Sequence, residues 1–164
     1  WTIPWIGRLS FMLPLVCGLG FGWKQRFHEC FPYGIKDERI RQRIASSMLG
    51  GDSAAAGLPG NPWPSLAEFY RLSFLVRRQL RSIRTPCLVV HAVDDDVASL
   101  KNVRMIVRGV RGPVETVLLE NSYHMITVDQ ERSTVIERST RFFNHVASTQ
   151  FVRMPEPAQV AVAE

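Results

Sequence analysis

The chain has 164 residues, enough for one compact domain with a core, and its 46% hydrophobic content argues against disorder throughout. Twenty Lys and Arg against fifteen Asp and Glu give a formal charge of +5, with no nucleic-acid-binding motif to go with it. Cys17, Cys30 and Cys87 are odd in number and lack CxxC spacing, which points away from a disulfide framework or a zinc site and towards a reducing, cytoplasmic setting.

The opening Trp1-Thr2-Ile3-Pro4-Trp5 has neither a start methionine nor a helix cap, so the chain is expected to begin mid-protein. Leu9 to Trp23 is uncharged, yet it is shorter than the roughly 20 residues of a membrane helix and is broken by Pro14, Gly18, Gly20 and Gly22. No transmembrane segment is expected. A signal peptide is not indicated either, because only Arg8 precedes the run and no small-residue cleavage site follows it.

From Ile35 to Leu49, Ile40, Ile44 and Met48 recur every four positions among Lys36, Arg39, Arg41 and Arg43, and Gly50-Gly51 follows. This pattern predicts an amphipathic helix with a glycine stop. Gly50 to Ser65, rich in glycine and proline, predicts a flexible loop. A second helix is expected from Ser65-Leu66-Ala67-Glu68, which has capping-box spacing, with a buried stripe of Leu66, Phe69, Leu72, Val76, Leu80 and Ile83. Arg71, Arg77, Arg78, Arg81 and Arg84 fall in this helix and its exit. They permit contact with an anionic surface, against the plainer reading of a solvated helix face.

Cys87-Leu88-Val89-Val90-His91 and Val114 to Leu119 are short runs rich in β-branched residues, separated by the helical stretch Ser99 to Val110. A βαβ unit with parallel strands follows from that order. A last helix, Asp129 to Val146, carries Val135, Ile136, Phe142, Phe143 and Val146 to cover one sheet face, and the tail from Ser148 has no periodicity. The expected class is α/β.

Ligands of open parallel sheets bind beyond the carboxyl ends of the strands, so the informative segments follow His91 and Leu119. The first holds Asp94-Asp95-Asp96 and the second Glu120-Asn121-Ser122-Tyr123-His124. An acid and an imidazole at neighbouring strand ends are what a hydrolytic relay needs: the imidazole takes the nucleophile's proton and the carboxylate fixes its tautomer. A metal set of His91, Asp95 and His124 is the weaker alternative, because no ligand pair has helix-face or hairpin spacing.

These segments resemble a known family. Pro86 to Asp96 resembles the acid-bearing strand of α/β-hydrolases, in the carboxylesterase and monoacylglycerol lipase branch, where the strand ends in Gly-x-x-Asp. Asn121-Ser122-Tyr123-His124-Met125-Ile126-Thr127 resembles the same branch's histidine loop. The resemblance implies a partial α/β-hydrolase fold, a helical cap followed by the last two parallel strands and their helices. Its regions would be a cap or lid over 1–84, the C-terminal βαβα part of the core over 85–147, and a loosely ordered tail over 148–164. It aligns Ala92 with the glycine, Asp95 with the catalytic acid and His124 with the catalytic histidine; Asp94 and Asp96 stay as rival acids because three adjacent aspartates cannot all point one way, and His91, inside the strand, reads as structural.

The chain departs from the family in lacking its Gly-x-Ser-x-Gly nucleophile motif and its early His-Gly oxyanion loop. Ser53, in Gly51-Asp52-Ser53-Ala54-Ala55, precedes the acid and histidine in the right order, but an amphipathic helix rather than a strand leads into it. The nucleophilic serine is therefore expected upstream of Trp1. The resemblance implies a full-length carboxylic-ester hydrolase without a cofactor, of which this chain alone is inactive, and a small ester substrate. The apolar stretch Leu9 to Phe21 and the loop 50–65 point to a lid over an apolar acyl group. A truncated, non-catalytic binding chain is the alternative. A phospho-accepting domain would need a strand-end lysine downstream, and there is none.

Overall fold

A computed structural model describes residues 10–51, 54 and 57–151. A short 3-10 turn (Ser10–Met12) runs into α1 (Leu13–Gly18), which accepts Pro14 in its first turn, where the missing N–H is no loss. Leu13 and Cys17, four residues apart, share one face and bury against Ala67. Two three-residue strands, β1 (Arg26–His28) and β2 (Gly60–Pro62), pair antiparallel, and Phe27 stacks on Trp63 with ring centroids 5.7 Å apart. Between them α2 (Glu38–Leu49) starts at Asp37, whose carboxylate accepts the Ile40 N–H at 3.0 Å, and stops at Gly50 as its sequence predicts.

The long helix α3 (Trp63–Gln79) begins two residues ahead of the predicted capping box, with Pro64 in its first turn and no side-chain cap. Ser65 lies inside the helix, so the box does not form, and the loop from Gly50 is cut short by β2 and by this start. The predicted stripe is also only partly buried. Leu80 is buried, whereas Phe69, Leu72 and Val76 are 53, 58 and 46% exposed. α1 packs on the side of α3 that presents the small Ala67, and no described element covers the other side.

A 3-10 turn (Leu80–Ser82) leads to β3 (Cys87–Ala92), α4 (Lys101–Gly109) and β4 (Val114–Leu119). The strands are parallel, in register from Cys87 beside Val114 to Ala92 beside Leu119. Val117 and Leu119 are buried while Leu118 is 48% exposed, so one face of the pair is open among the described residues instead of both being covered. α5 (Arg132–Phe151) packs along β3, starting three residues after Asp129 and passing Ala147. No described helix is long and apolar enough to cross a membrane.

Candidate active site

Because β3 and β4 end level, the segments that leave them emerge side by side, tied at once by the Val93 N–H donating to the Leu119 carbonyl at 2.8 Å. Asp95 closes a tight turn in the first segment: its Oδ1 accepts the N–H groups of Val97 (2.8 Å) and Ala98 (2.6 Å). The same carboxylate meets His124 Nδ1, at 2.9 Å from Oδ2 and 3.1 Å from Oδ1. The Asp95 side chain is 5% exposed and the His124 ring 42%. With a carboxylate at Nδ1, that nitrogen carries the imidazole proton, and Nε2 is left as the nitrogen able to accept one.

Burial pushes the Asp95 carboxyl up, but the Ala98 N–H, the His124 hydrogen bond and charge, and the Val97 N–H together outweigh it and hold its pKa below the usual carboxylate value. Asp95 is therefore ionised at neutral pH. Its two neighbours point elsewhere. Asp94 Oδ2 accepts from Lys36 Nζ at 3.3 Å, and Asp96 Oδ2 accepts the Gly34 N–H at 3.1 Å. Of the three adjacent aspartates, Asp95 is the one that meets the histidine.

His91 lies behind the pair, its ring mostly buried, with Nδ1 2.7 Å from the Ala92 carbonyl and Nε2 3.7 Å from Asp95 Oδ2. Among the described residues no group of three or more His, Cys, Asp and Glu side chains could hold a metal ion. Ser53 lies outside the described residues. The serine of Ser-x-His has a fastening role: Ser122 is fully buried, donates to Glu131 Oε2 at 2.9 Å and accepts the Glu131 N–H at 3.3 Å. The same Glu131 oxygen takes the Asn121 N–H at 2.7 Å, so the histidine loop is laced to the start of α5.

No family model matches the chain. It is 31% identical over 106 residues to a thermostable monoacylglycerol lipase of Bacillus sp. (strain H-257), a stretch that is 64% of this chain and 42% of that protein. A solved structure from work on LipS and LipT, two metagenome-derived lipolytic enzymes, is 27% identical with a TM-score of 0.52, covering 53% of this chain and 36% of its own. The monoacylglycerol lipase of Paleococcus ferrophilus superposes over 84% of this chain and 52% of its own, with a TM-score of 0.64 at 14% identity, a likeness of fold alone. The parallel strand pair and these lipolytic neighbours fit a partial α/β-hydrolase fold.

The chain spans about 42% of the length of the curated relative it matches. In this chain, periodicity and motif spacing missed what holds the acid and histidine loops together. Asp129 is 1% exposed, and its carboxylate accepts four backbone N–H groups: Lys36 and Tyr123 at 2.8 Å, Asp37 and Gln130 at 2.9 Å. It thereby joins the segment before α2 to the residue next to His124. That segment grips the other loop too, because Gly34 takes Asp96 at its N–H and gives its carbonyl to the Met125 N–H at 2.7 Å. Lys36 completes the bracket, donating to Asp94 and to the Glu120 carbonyl, the latter at 3.3 Å, with its ammonium over the Tyr123 ring. An acid five residues after the histidine was the available signal; what it binds is 92 and 93 residues away in the chain and leaves no local pattern.

Gly34 is fitted to this place. Its φ is +72°, and a Cβ there would lie 3.1 Å from both His124 Cβ and Met125 Cγ. Gly34→Ala should cost about 1–3 kcal/mol from the left-handed backbone alone, and any relief of the crowding pushes on His124. The urea midpoint of the variant measures the cost. An unchanged midpoint would show that the bracket yields freely.

Proposed function

We propose that the protein carrying this chain hydrolyses carboxylic esters through a serine, His124 and Asp95, and that the serine comes from a segment outside these 164 residues. The observation that carries the reading is the Asp95–His124 hydrogen bond at adjacent parallel strand ends, with a buried acceptor and a partly exposed imidazole. It is supported by the relative at 31% identity and the solved structure at 27%, which are named for lipase or lipolytic activity, and by the lack of Gly-x-Ser-x-Gly in the sequence.

In this scheme His124 Nε2 removes the serine hydroxyl proton as the oxygen attacks the ester carbonyl, and the carboxylate of Asp95 stabilises the imidazolium. The proton then passes to the alcohol oxygen as the C–O bond breaks and an acyl-enzyme forms. Water repeats the sequence: its proton goes to His124, its oxygen to the acyl carbon, and the serine leaves with the proton, releasing the acid. The scheme uses no cofactor. Residues 1–84 act as the lid, and the exposed Leu15, Leu19, Phe21 and Trp23 support an apolar acyl group under it. Residues 85–147 supply the acid and the histidine, and without the serine the 164 residues turn over no ester.

A fluorophosphonate probe tests this on the full-length protein. Labelling is expected on a serine outside this chain and is lost in His124→Ala. A folded full-length protein that takes no label would sink the reading, and label on Ser53 would move the nucleophile into the loop after α2.

A further inference from the structure

The basic residues of α3 acquire a meaning in three dimensions that their sequence does not give them. The end of α3 and its exit turn lie beside α4, and the gap between them is a cavity of about 710 Å³. Its walls carry Arg77, Arg78 and Arg81 on one side and Lys101, Arg104 and Arg108 on the other, with Leu80, Met105 and Gly109 among its lining residues and no acid at all. These six cations exceed the formal charge of the whole chain, +5, so the remaining charges nearly cancel. The ion pairs of the described residues involve Lys36, Arg71, Arg138, Arg141, His91 and His124, and none of the six. Arg78 lies 5.6 Å over the Phe74 ring, a contact that leaves its charge uncompensated.

The fold presses the two rows together against their repulsion. Gly109 lets α4 close on the turn after α3: a Cβ there would fall 2.8 Å from Leu80 Cβ and Cδ1. The Arg111 and Gly112 N–H groups hold the same junction by donating to the Ile83 carbonyl at 2.9 and 3.1 Å. A cleft lined by one sign of charge focuses the field and concentrates counter-ions, and the forked arginine guanidinium matches phosphate oxygens two at a time.

We propose that this groove binds a small, multiply charged phosphate compound. The proposal shares no residue with the Asp95–His124 pair and stands whether or not the protein hydrolyses esters. A small ligand fits better than a bilayer because the cations face each other across a gap, so a flat surface would meet only the rims. The volume is within the roughly 300–1,000 Å³ of small-molecule sites.

The test is calorimetric titration of the full-length protein with inorganic tripolyphosphate, beside sedimentation with neutral phosphatidylcholine vesicles and with vesicles containing phosphatidylserine. Saturable binding of tripolyphosphate is expected, weakened at least about tenfold when one cation on each wall is reversed in Arg81→Glu/Arg104→Glu. Arg81→Lys/Arg104→Lys, which keeps the charges, should retain most of the affinity. Loss of binding in the lysine and glutamate variants alike, with circular dichroism unchanged, would show that charge is not the determinant. Absent binding, or equal binding by the native and glutamate forms, would overturn the proposal. So would sedimentation with the anionic vesicles by a protein that ignores tripolyphosphate.

Discussion

Asp95→Asn in the full-length protein is expected to lower kcat for ester hydrolysis by about 10⁴-fold, and His124→Ala by at least as much, with KM little changed. The asparagine is a sharp probe because its amide oxygen can still accept the Val97 and Ala98 N–H groups, so the turn survives. The atom placed before His124 Nδ1 becomes an NH₂, a donor. The imidazole must then turn its lone pair inward and carry its proton on Nε2, where it cannot receive one from a serine. Asp94→Asn, by contrast, should leave kcat within a few-fold of native, since Asp94 is more than half exposed and meets Lys36 instead of the histidine. Steady-state rates with a chromogenic ester decide the matter. A silent Asp95→Asn together with an inactive Asp94→Asn would give the acid's role to the wrong neighbour.

Asp129→Ala should destabilise the fold by about 3 kcal/mol or more, because it strands four N–H donors that had one charged acceptor between them. Burial pushes the Asp129 carboxyl up, but the N–H groups of Tyr123, Lys36, Asp37 and Gln130 outweigh it and hold the pKa below its ordinary value. A folded-state pKa below the unfolded one, about 3.9, means that the native state prefers the charged form. The stabilisation is complete above the unfolded value and drains away as the pH falls through the folded one. Asp129→Asn should accordingly be less stable than native near neutrality, with the gap narrowing as the solution is acidified below about pH 4. Urea midpoints collected from neutral to acid pH give the comparison. A gap that stays constant with pH would remove the charge from the explanation.

The parts of this structure that were legible in the sequence are those decided locally. Cys87 to His91 and Val114 to Leu119 are short apolar runs of β-branched residues on either side of a helical pattern, and they became the parallel pair with the acid and histidine segments at the same end. The apolar repeat of Ile40, Ile44 and Met48 with its glycine stop became α2. Where the reading went astray, the deciding contact was distant. A period of 3.6 identifies which side of α3 is apolar but not whether anything covers it, and α1 chose Ala67. The capping box at Ser65 had the right spacing, but the helix was already under way at Trp63, beside the ribbon of β1 and β2 and stacked on Phe27. The orientation of three consecutive aspartates depends on Lys36 and Gly34, 58 and 62 residues away. No window along the chain contains that information.

The bracket of residues 34–37 also fixes where this molecule can be cut and rejoined. For an exchange of the segment that precedes α2, the start of that helix would be an obvious junction. A junction placed after Asp37, with foreign sequence before it, would replace Gly34, Lys36 and Asp37, the three residues that hold Asp94, Asp96, Asp129 and Met125 in place. The incoming segment would then arrive without the clasp that keeps the Asp95 and His124 loops in register. A crossover that retains Gly34 to Asp37 from this chain leaves the clasp intact and frees everything before it to vary.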